Sequence, residues 1–396
     1  MRNARAPVVL LGGLNIVRAL GLAQIPVIIA SSERRTPSMA SRYCAGVIEL
    51  PPIADREAVV EALLRAAPKF GERVPLFYDN DDRLALVQDY RAALAPHYAL
   101  LLNEPALGDA LLEKSRFQEF AERHGLPVPR RIEWPALEAE RGPVLVKPKT
   151  RTAWDHSSIR LQLFGGAGKA RIFESGAQAR AHPLAAQLAG QLSFQEYVPG
   201  GDDAIWSLHG FAAPGGELLE WFVGRKIRTY PALTGDSSYL RLARDERLVA
   251  LGRDIAGRIG LAGIFKMDFK RSTASGRYYL LEINTRFNLW HYLGACSGVN
   301  LPQVAYEYLL HGGRPLHAQA RLDVRWLCLR YDKRAFKEAR QQGGLTTAGW
   351  LASLAHQPMV YDLFSWRDPK PFLRHWAAKL RSALTRRMHR WLATAS

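Results

Sequence analysis

The stretch Ile264–Arg286, IFKMDFKRSTASGRYYLLEINTR, constrains the fold more than any other part of this chain. Two apolar runs, IFKMDFK and YYLLEIN, flank a short polar link from Arg271 to Arg277 that contains Gly276. That pattern predicts the two antiparallel strands of a hairpin. The first strand carries Asp268, the second Glu282 and Asn284. Residues two apart in a strand share a face, so Glu282 and Asn284 point the same way, and Asp268 can sit beside them across the hairpin. Three hard oxygen donors then converge, with no His or Cys among them. Such a set suits Mg²⁺, which keeps waters and shares its shell with substrate phosphates. A single acid in a strand is usually just solvated. Three that converge, with Arg286 directly after them, argue for a site.

The first hundred residues alternate strand and helix. The strands are VVLL (8–11), PVIIA (26–30), GVIEL (46–50) and VPLFY (74–78). The helical stretches are IVRALGLA, EAVVEALLRAA and DDRLALVQDYRAAL. This βαβ series predicts a parallel sheet with helices on both sides, a Rossmann-like domain over 1–105. Gly12-Gly13 at the first strand-to-helix turn could let a ligand approach backbone N–H groups, but the full dinucleotide fingerprint is missing. Asp79 to Asp82 read either as a wall of a substrate pocket or as the cap of the next helix.

A second pattern begins at Leu107. LLEKSRFQEFAERHGLPVPRR predicts an amphipathic helix stopped at Gly125, and GPVLVKP (142–148) a buried strand ending in Lys147. A basic, polar stretch, KTRTAWDHSSIR, and the run GGAGKARIF (165–173) follow. The strand SFQEYV (193–198), a long hairpin from Ala204 to Arg228 and the helix ERLVALGRDIAGRIG then lead into the acidic hairpin. ACSGVNLPQVAYEYLLHG predicts a helix pair that closes a second domain, 106–315, with a hinge near 195–200. The remainder, 316–396, is a Trp- and Arg-rich extension with a basic amphipathic helix at about 371–392. The fold class is α/β (α+β).

Bulk properties set limits on function. A chain of 396 residues suggests two to four domains, and 48% hydrophobic with 23% charged residues is the composition of a soluble protein. No apolar run is long enough to span a bilayer, and the N-terminus reads as a first strand rather than a signal peptide. Cys44, Cys296 and Cys328 lie far apart, with neither metal spacing nor a disulfide framework. A cytoplasmic protein is therefore expected. The net charge of +17 points to nucleic acid, anionic membrane or a polyphosphate substrate as partner.

Order along the chain carries the functional argument. Lys114 heads a helix, and Lys147 ends a strand. The strand Gln195-Glu196-Tyr197-Val198 runs into Asp202 and Asp203. Arg225-Lys226, Asp268, Glu282-x-Asn284 and Arg286 then follow in turn. Over residues 7–311 this resembles the ATP-grasp superfamily, and within it carboxylate–amine ligases such as the D-alanine–D-alanine and D-aspartate ligases. The resemblance implies a two-lobed ATP-grasp domain after the Rossmann-like one, with ATP and Mg²⁺ (or Mn²⁺) bound. It assigns Lys114 and Lys147 to the α- and β-phosphates, a task that suits point-charge donors. Gln195 to Val198 would bind adenine, with Glu196 accepting from its amino group, and Asp202 or Asp203 would hold the ribose. The stretch 149–169, with Ser157, Ser158 and the Gly165-Gly166-x-Gly168 run, would cover the triphosphate, although Trp154 and basic residues depart from a purely glycine-rich loop. Arg225 and Lys226 would face the γ-phosphate, and Asp268, Glu282 and Asn284 would hold the metal. Arg286 would stabilise charge at the reacting carbonyl.

The implied reaction activates a small-molecule carboxylate as an acyl phosphate for attack by an amine. A small-molecule kinase on the same fold and a non-catalytic membrane-peripheral scaffold are the alternatives. The tail carries Arg374, Lys379, Arg381, Arg386, Arg387 and Arg390 and no acid from Pro371 to Ser396, with Leu373, Trp376, Leu380, Leu384, Met388 and Trp391 at helical spacing. This helix either packs on the enzyme core or lies on an anionic membrane at the inner face. Nucleic acid fits less well, because no recognition motif accompanies the charge. Substrate identity and oligomeric state are left open.

Overall fold

The computed structural model describes residues 5–149, 158–164, 170–233, 235–356 and 358–394. The chain forms two compact units, and each is built from separate pieces of sequence. The first comprises Met1–Leu101, Arg286–Arg314 and Val360–Ser396, and the second Leu102–Thr285 and Pro315–Met359.

The first unit is the expected parallel sheet: β1 (Val8–Leu11), β2 (Val27–Ser31), β3 (Cys44–Glu49), β4 (Val74–Tyr78) and β5 (Tyr98–Ala99), in the order β3-β2-β1-β4-β5. Strands β1 and β4 are uninterrupted apolar runs because both of their faces are covered, and every residue in them is buried. Asp55 and Asn80 cap the helices Arg56–Ala66 and Asp81–Asp89 by accepting from the N–H groups of Ala58 and Arg83. The helices His291–Cys296 and Leu301–His311 form the expected pair, but they belong to this unit. Asn300 donates to the Ala19 carbonyl at 2.7 Å and the Tyr306 hydroxyl to that of Ala6 at 3.0 Å. The segment after Val360 returns here as well. Buried Asp368 accepts from the Arg18 guanidinium at 3.1 Å, the Ser41 hydroxyl at 2.8 Å and the Arg42 N–H at 2.9 Å.

Two apolar cores of the second unit lie among the described residues. The smaller surrounds an antiparallel sheet, β6 (Val144–Pro148), β7 (Arg171–Phe173) and β8 (Leu192–Glu196), in the order β7-β6-β8. Val144, Val146, Phe173, Leu192 and Phe194 fill it, together with Leu137 and Ala179. The larger lies on a sheet of β9 (Ile205–Ala213), β10 (Glu217–Tyr230), β11 (Asp236–Ala243), β12 (Gly263–Arg271), β13 (Tyr278–Asn284) and β14 (Arg325–Leu327). Within this unit the strands run β13-β12-β9-β10-β11-β14. One face carries Trp206, Leu208, Val223, Phe265, Met267 and Phe269, packed with apolar residues of the helices Pro105–Leu112, Lys114–Arg123 and Glu246–Ile259. Gly252 lets the last of these helices approach the sheet, since a Cβ there would overlap the Leu208 side chain.

Two expectations are corrected. The single helix from Leu107 is two, because Glu113 between them is extended, at φ −102° and ψ 125°. The extension 316–396 is not one segment. Its first part joins the second unit, where Asp332 on the helix Leu329–Gln341 is wholly buried and accepts from Arg228, Ser238 and Trp350. A buried carboxylate so held keeps its position strongly, because losing Arg228 would leave its charge uncompensated.

Candidate active site

The face of the large sheet opposite this core carries a polar patch beside buried Phe211, Phe222 and Ile264, and alternation along each strand puts it there. Asp268 pairs in register with Glu282 on β13 and with Ser207 on β9, and Lys266 pairs with Asn284 and with His209. Side chains directly opposite in a sheet lie within contact distance. Asn284 donates to Glu282 at 3.0 Å, Lys266 to Asp268 at 2.6 Å, and the Ser207 hydroxyl also donates to Asp268. The three residues expected to hold a metal therefore come together on one face. Among the described residues no cluster of three or more His, Cys, Asp or Glu side chains has metal-site geometry, so the candidate set is two carboxylates and one amide.

Cations balance this acid. Burial by itself would raise the Asp268 carboxyl. The ammonium groups of Lys266 and Lys226, the first of which also donates to the carboxylate, outweigh it and hold the group at about 2. Lys226, on β10, has its own pKa pulled down by burial and by Lys266, with Asp268, Glu282 and Asp202 acting the other way. Lys270 shares this face two residues beyond Asp268. Its ammonium lies 4.3 Å from the centre of the Tyr197 ring, and burial lowers it to about 8 despite the opposing pull of Asp202.

Arg225 and Lys226 are neighbours on one strand and cannot both face the acids. Arg225 turns to the other side, where it donates to the Asp203 carboxylate at 2.8 Å and lies over the Trp206 ring. Asp202 is occupied by the chain itself, accepting from the Thr229 N–H at 2.6 Å, the Thr229 hydroxyl at 2.7 Å and the Leu233 N–H at 2.7 Å.

Around β8 the Gln195 side chain is buried and donates to Gln118 at 2.6 Å. The Glu196 carboxylate accepts from the Arg130 N–H at 3.0 Å. The backbone N–H groups of Glu196 and Tyr197 donate to the carbonyls of Arg130 and Pro143, and Val198 is buried just beyond. Lys147 pairs in register with Ser193 on the side of β6 away from the smaller core. Lys114 is the first residue of its helix, and its side chain lies outside the described residues. Ser157 and the Gly165-Gly166-x-Gly168 run also lie outside them.

In the first unit Arg286 donates to Asp81 at 2.5 Å and to the Asp79 carbonyl at 3.4 Å. The Gly12–Gly13 turn holds no vacant anion cradle, because the Gly13 N–H donates to Asp79 at 2.6 Å and a Cβ on Gly12 would crowd that carboxylate. Arg83 completes the arrangement, at 2.5 Å from Asp79. Sequence reasoning missed Lys266, Lys270 and Ser207. The two lysines were within reach of it, since both stand two residues from Asp268. Ser207 required knowing that β9 lies beside β12.

Part of the chain matches the model of an ATP-grasp family, and the fold is similar to those of solved carboxylases and ligases. A family model described as "ATP-grasp in the biosynthetic pathway with Ter operon" matches residues 214–328, the stretch that contains the acid–cation face. Biotin carboxylase from Campylobacter jejuni, solved with a β,γ-ATP ligand, is similar at a TM-score of 0.57 and 14% identity, over 81% of this chain and 74% of that one. L-amino acid ligase from Bacillus licheniformis is similar at a TM-score of 0.56 and 14% identity, over 82% and 79%. N5-carboxyaminoimidazole synthetase from Staphylococcus aureus, solved with ADP, is similar at a TM-score of 0.58 and 13% identity, over 80% of each chain. No curated protein sequence matches the chain.

Proposed function

We propose that the chain is a Mg²⁺- and ATP-dependent ligase that joins a small-molecule carboxylate to an amine and releases ADP and phosphate. The observation that supports this reading is the polar sheet face, where Asp268, Glu282, Asn284 and Lys226 share one surface of an ATP-grasp fold. The donor set fits a hard divalent cation, being all oxygen, with two carboxylates. Mg²⁺ held by Asp268, Glu282 and Asn284 would supply positive charge to the phosphoryl oxygens.

The chain's own residues do the remaining work. Lys226 is assigned to the γ-phosphoryl group, and Lys147 and Lys114 to the α- and β-phosphates. Arg225 is assigned to holding Asp203 rather than to the phosphates. The N–H groups of Glu196 and Tyr197 are already committed, so adenine recognition falls to the other backbone groups of Gln195 to Val198. Asp202 is saturated by Thr229 and Leu233, which leaves Asp203 for the ribose hydroxyls. A substrate carboxylate oxygen attacks the γ-phosphorus, and the bond to the β-phosphate oxygen breaks with its electron pair leaving on ADP. The amine lone pair then adds to the acyl carbon. The tetrahedral adduct expels phosphate, and the nitrogen gives its proton to solvent. Arg286 is assigned to the negative charge on that adduct.

The test is release of ADP and free phosphate from Mg-ATP with a panel of amino acids and amines. Both should appear only when a carboxylate and an amine are present together. ADP without free phosphate, accompanied by a phosphorylated acceptor, would identify a kinase and reject the ligase step. Glu282→Gln should abolish ADP formation in a folded protein, and retained turnover would sink the metal assignment.

A further inference from the structure

Among the described side chains of the helix Lys370–Thr394, the buried one stands at its beginning. Pro371 is buried, and Phe372 meets Phe364 at 5.2 Å between ring centres. Just ahead, Arg18 and Asp368 form a wholly buried ion pair, and Arg18 also donates to the carbonyls of Leu363 and Asp368. The start of the helix is thus held firmly. Beyond it, Leu373, Trp376 and Leu380 are 59%, 48% and 61% exposed, and Trp366 before it is 86% exposed. Scattered exposed apolar side chains need no explanation, but Leu373, Trp376 and Leu380 follow one another at i, i+3 and i+7 and so form one stripe. The spacing continues in the sequence through Leu384, Met388 and Trp391. At about 100° per residue, Arg374 and Arg381 flank the stripe on one side and Lys379 on the other.

We infer that this helix is an interfacial anchor for an anionic lipid bilayer, lying in the membrane surface with its stripe at the acyl boundary and its cations among the headgroup phosphates. Charge complementarity selects this occupant. From Pro371 to Ser396 the chain has six Lys/Arg and no acid, so a second copy would meet it with like charge. A nucleic acid would match the charge but offer Leu373, Trp376 and Leu380 nothing to bury in. Long basic side chains can lay their stems along the apolar boundary while their heads stay wet. No described helix is long and apolar enough to cross a membrane, so the geometry is one of lying on the surface.

The experiment is sedimentation of the full chain with vesicles of phosphatidylcholine alone and of phosphatidylcholine mixed with phosphatidylglycerol. Partitioning should require the anionic lipid and weaken as salt is raised. Combined Arg374→Gln, Lys379→Gln and Arg381→Gln should lower it about 100-fold, at about 1 kcal/mol for each cation. Combined Leu373→Ser, Trp376→Ser and Leu380→Ser should lower it tenfold or more with charge unchanged, while both variants melt at the parent temperature. Any of three results overturns the inference: no binding to anionic vesicles, binding indifferent to the apolar substitutions, or self-association that those substitutions abolish in place of vesicle binding.

Discussion

The two faces of the large sheet are built from the same strands, residue by alternate residue, and they solve opposite problems. On one face Trp206, Leu208, Phe265, Met267 and Phe269 leave water by packing against helices, and burial alone stabilises them. On the other, Ser207, Lys226, Lys266, Asp268, Lys270, Glu282 and Asn284 hold charge in a confined space, where each charged group needs partners. Fold and chemistry are separated here by the pleat of the sheet and not by distance along the chain. Shifted titrations gather at functional surfaces more often than elsewhere, and those of Asp268, Lys226 and Lys270 all lie on the polar face.

The sharpest way to break this comparison is to change one residue on each side. Glu282→Gln keeps the volume and should remove ADP formation by a factor of about 10³ or more with little change in melting temperature. Phe265→Ala, wholly buried on the other face, should cost about 3–5 kcal/mol of stability by urea unfolding. If Glu282→Gln instead unfolds the protein, the polar face is structural and the division fails.

Much of this was legible in the residues. The period-two pattern of IFKMDFK and YYLLEIN put Asp268 within reach of Glu282 and Asn284 across a hairpin, and the register pairs it with Glu282. The first parallel sheet followed from the alternation of strand and helix over the first hundred residues. The same period, applied to FVGRKI, would have separated Arg225 from Lys226. What local pattern could not supply was the return of distant segments. Arg18 meets Asp368 across 350 positions, and no spacing rule announces a buried ion pair of that span. The split of 316–396 between the two units has the same origin, because its anchors, Asp332 and Asp368, are single polar residues that look solvated until their partners are known.

Lys270 offers a second test, through pH. Its folded pKa of about 8 lies below the ordinary 10.5, so between those values the unfolded chain binds more protons than the folded one. Stability should therefore rise as pH climbs from 8 towards 10.5, and the Lys270 contribution should be at its most unfavourable below 8. The whole effect is at most about 3 kcal/mol. Lys270→Met should be more stable than the parent at pH 7, and the difference should shrink by pH 10 in parallel urea titrations. An unchanging difference would mean that Lys270 is charged and well compensated on this face, so that confinement there costs less than the comparison claims.

The smallest expected effect separates two adjacent residues. Lys226→Met removes a cation from the polar face and should slow ADP formation about 10²-fold at saturating ATP. Arg225→Met removes one from the other side, where the guanidinium is partly exposed and pairs with an exposed Asp203. Such a pair contributes about 0–1 kcal/mol, so stability should fall by no more than that and the rate should stay within a few fold. The outcome depends on the alternation alone, because the two residues have the same charge sign and neighbouring positions. Equal losses of rate would mean that the strand is twisted or bulged enough near Arg228, where the β10–β11 register does shift, to present both side chains to the phosphates.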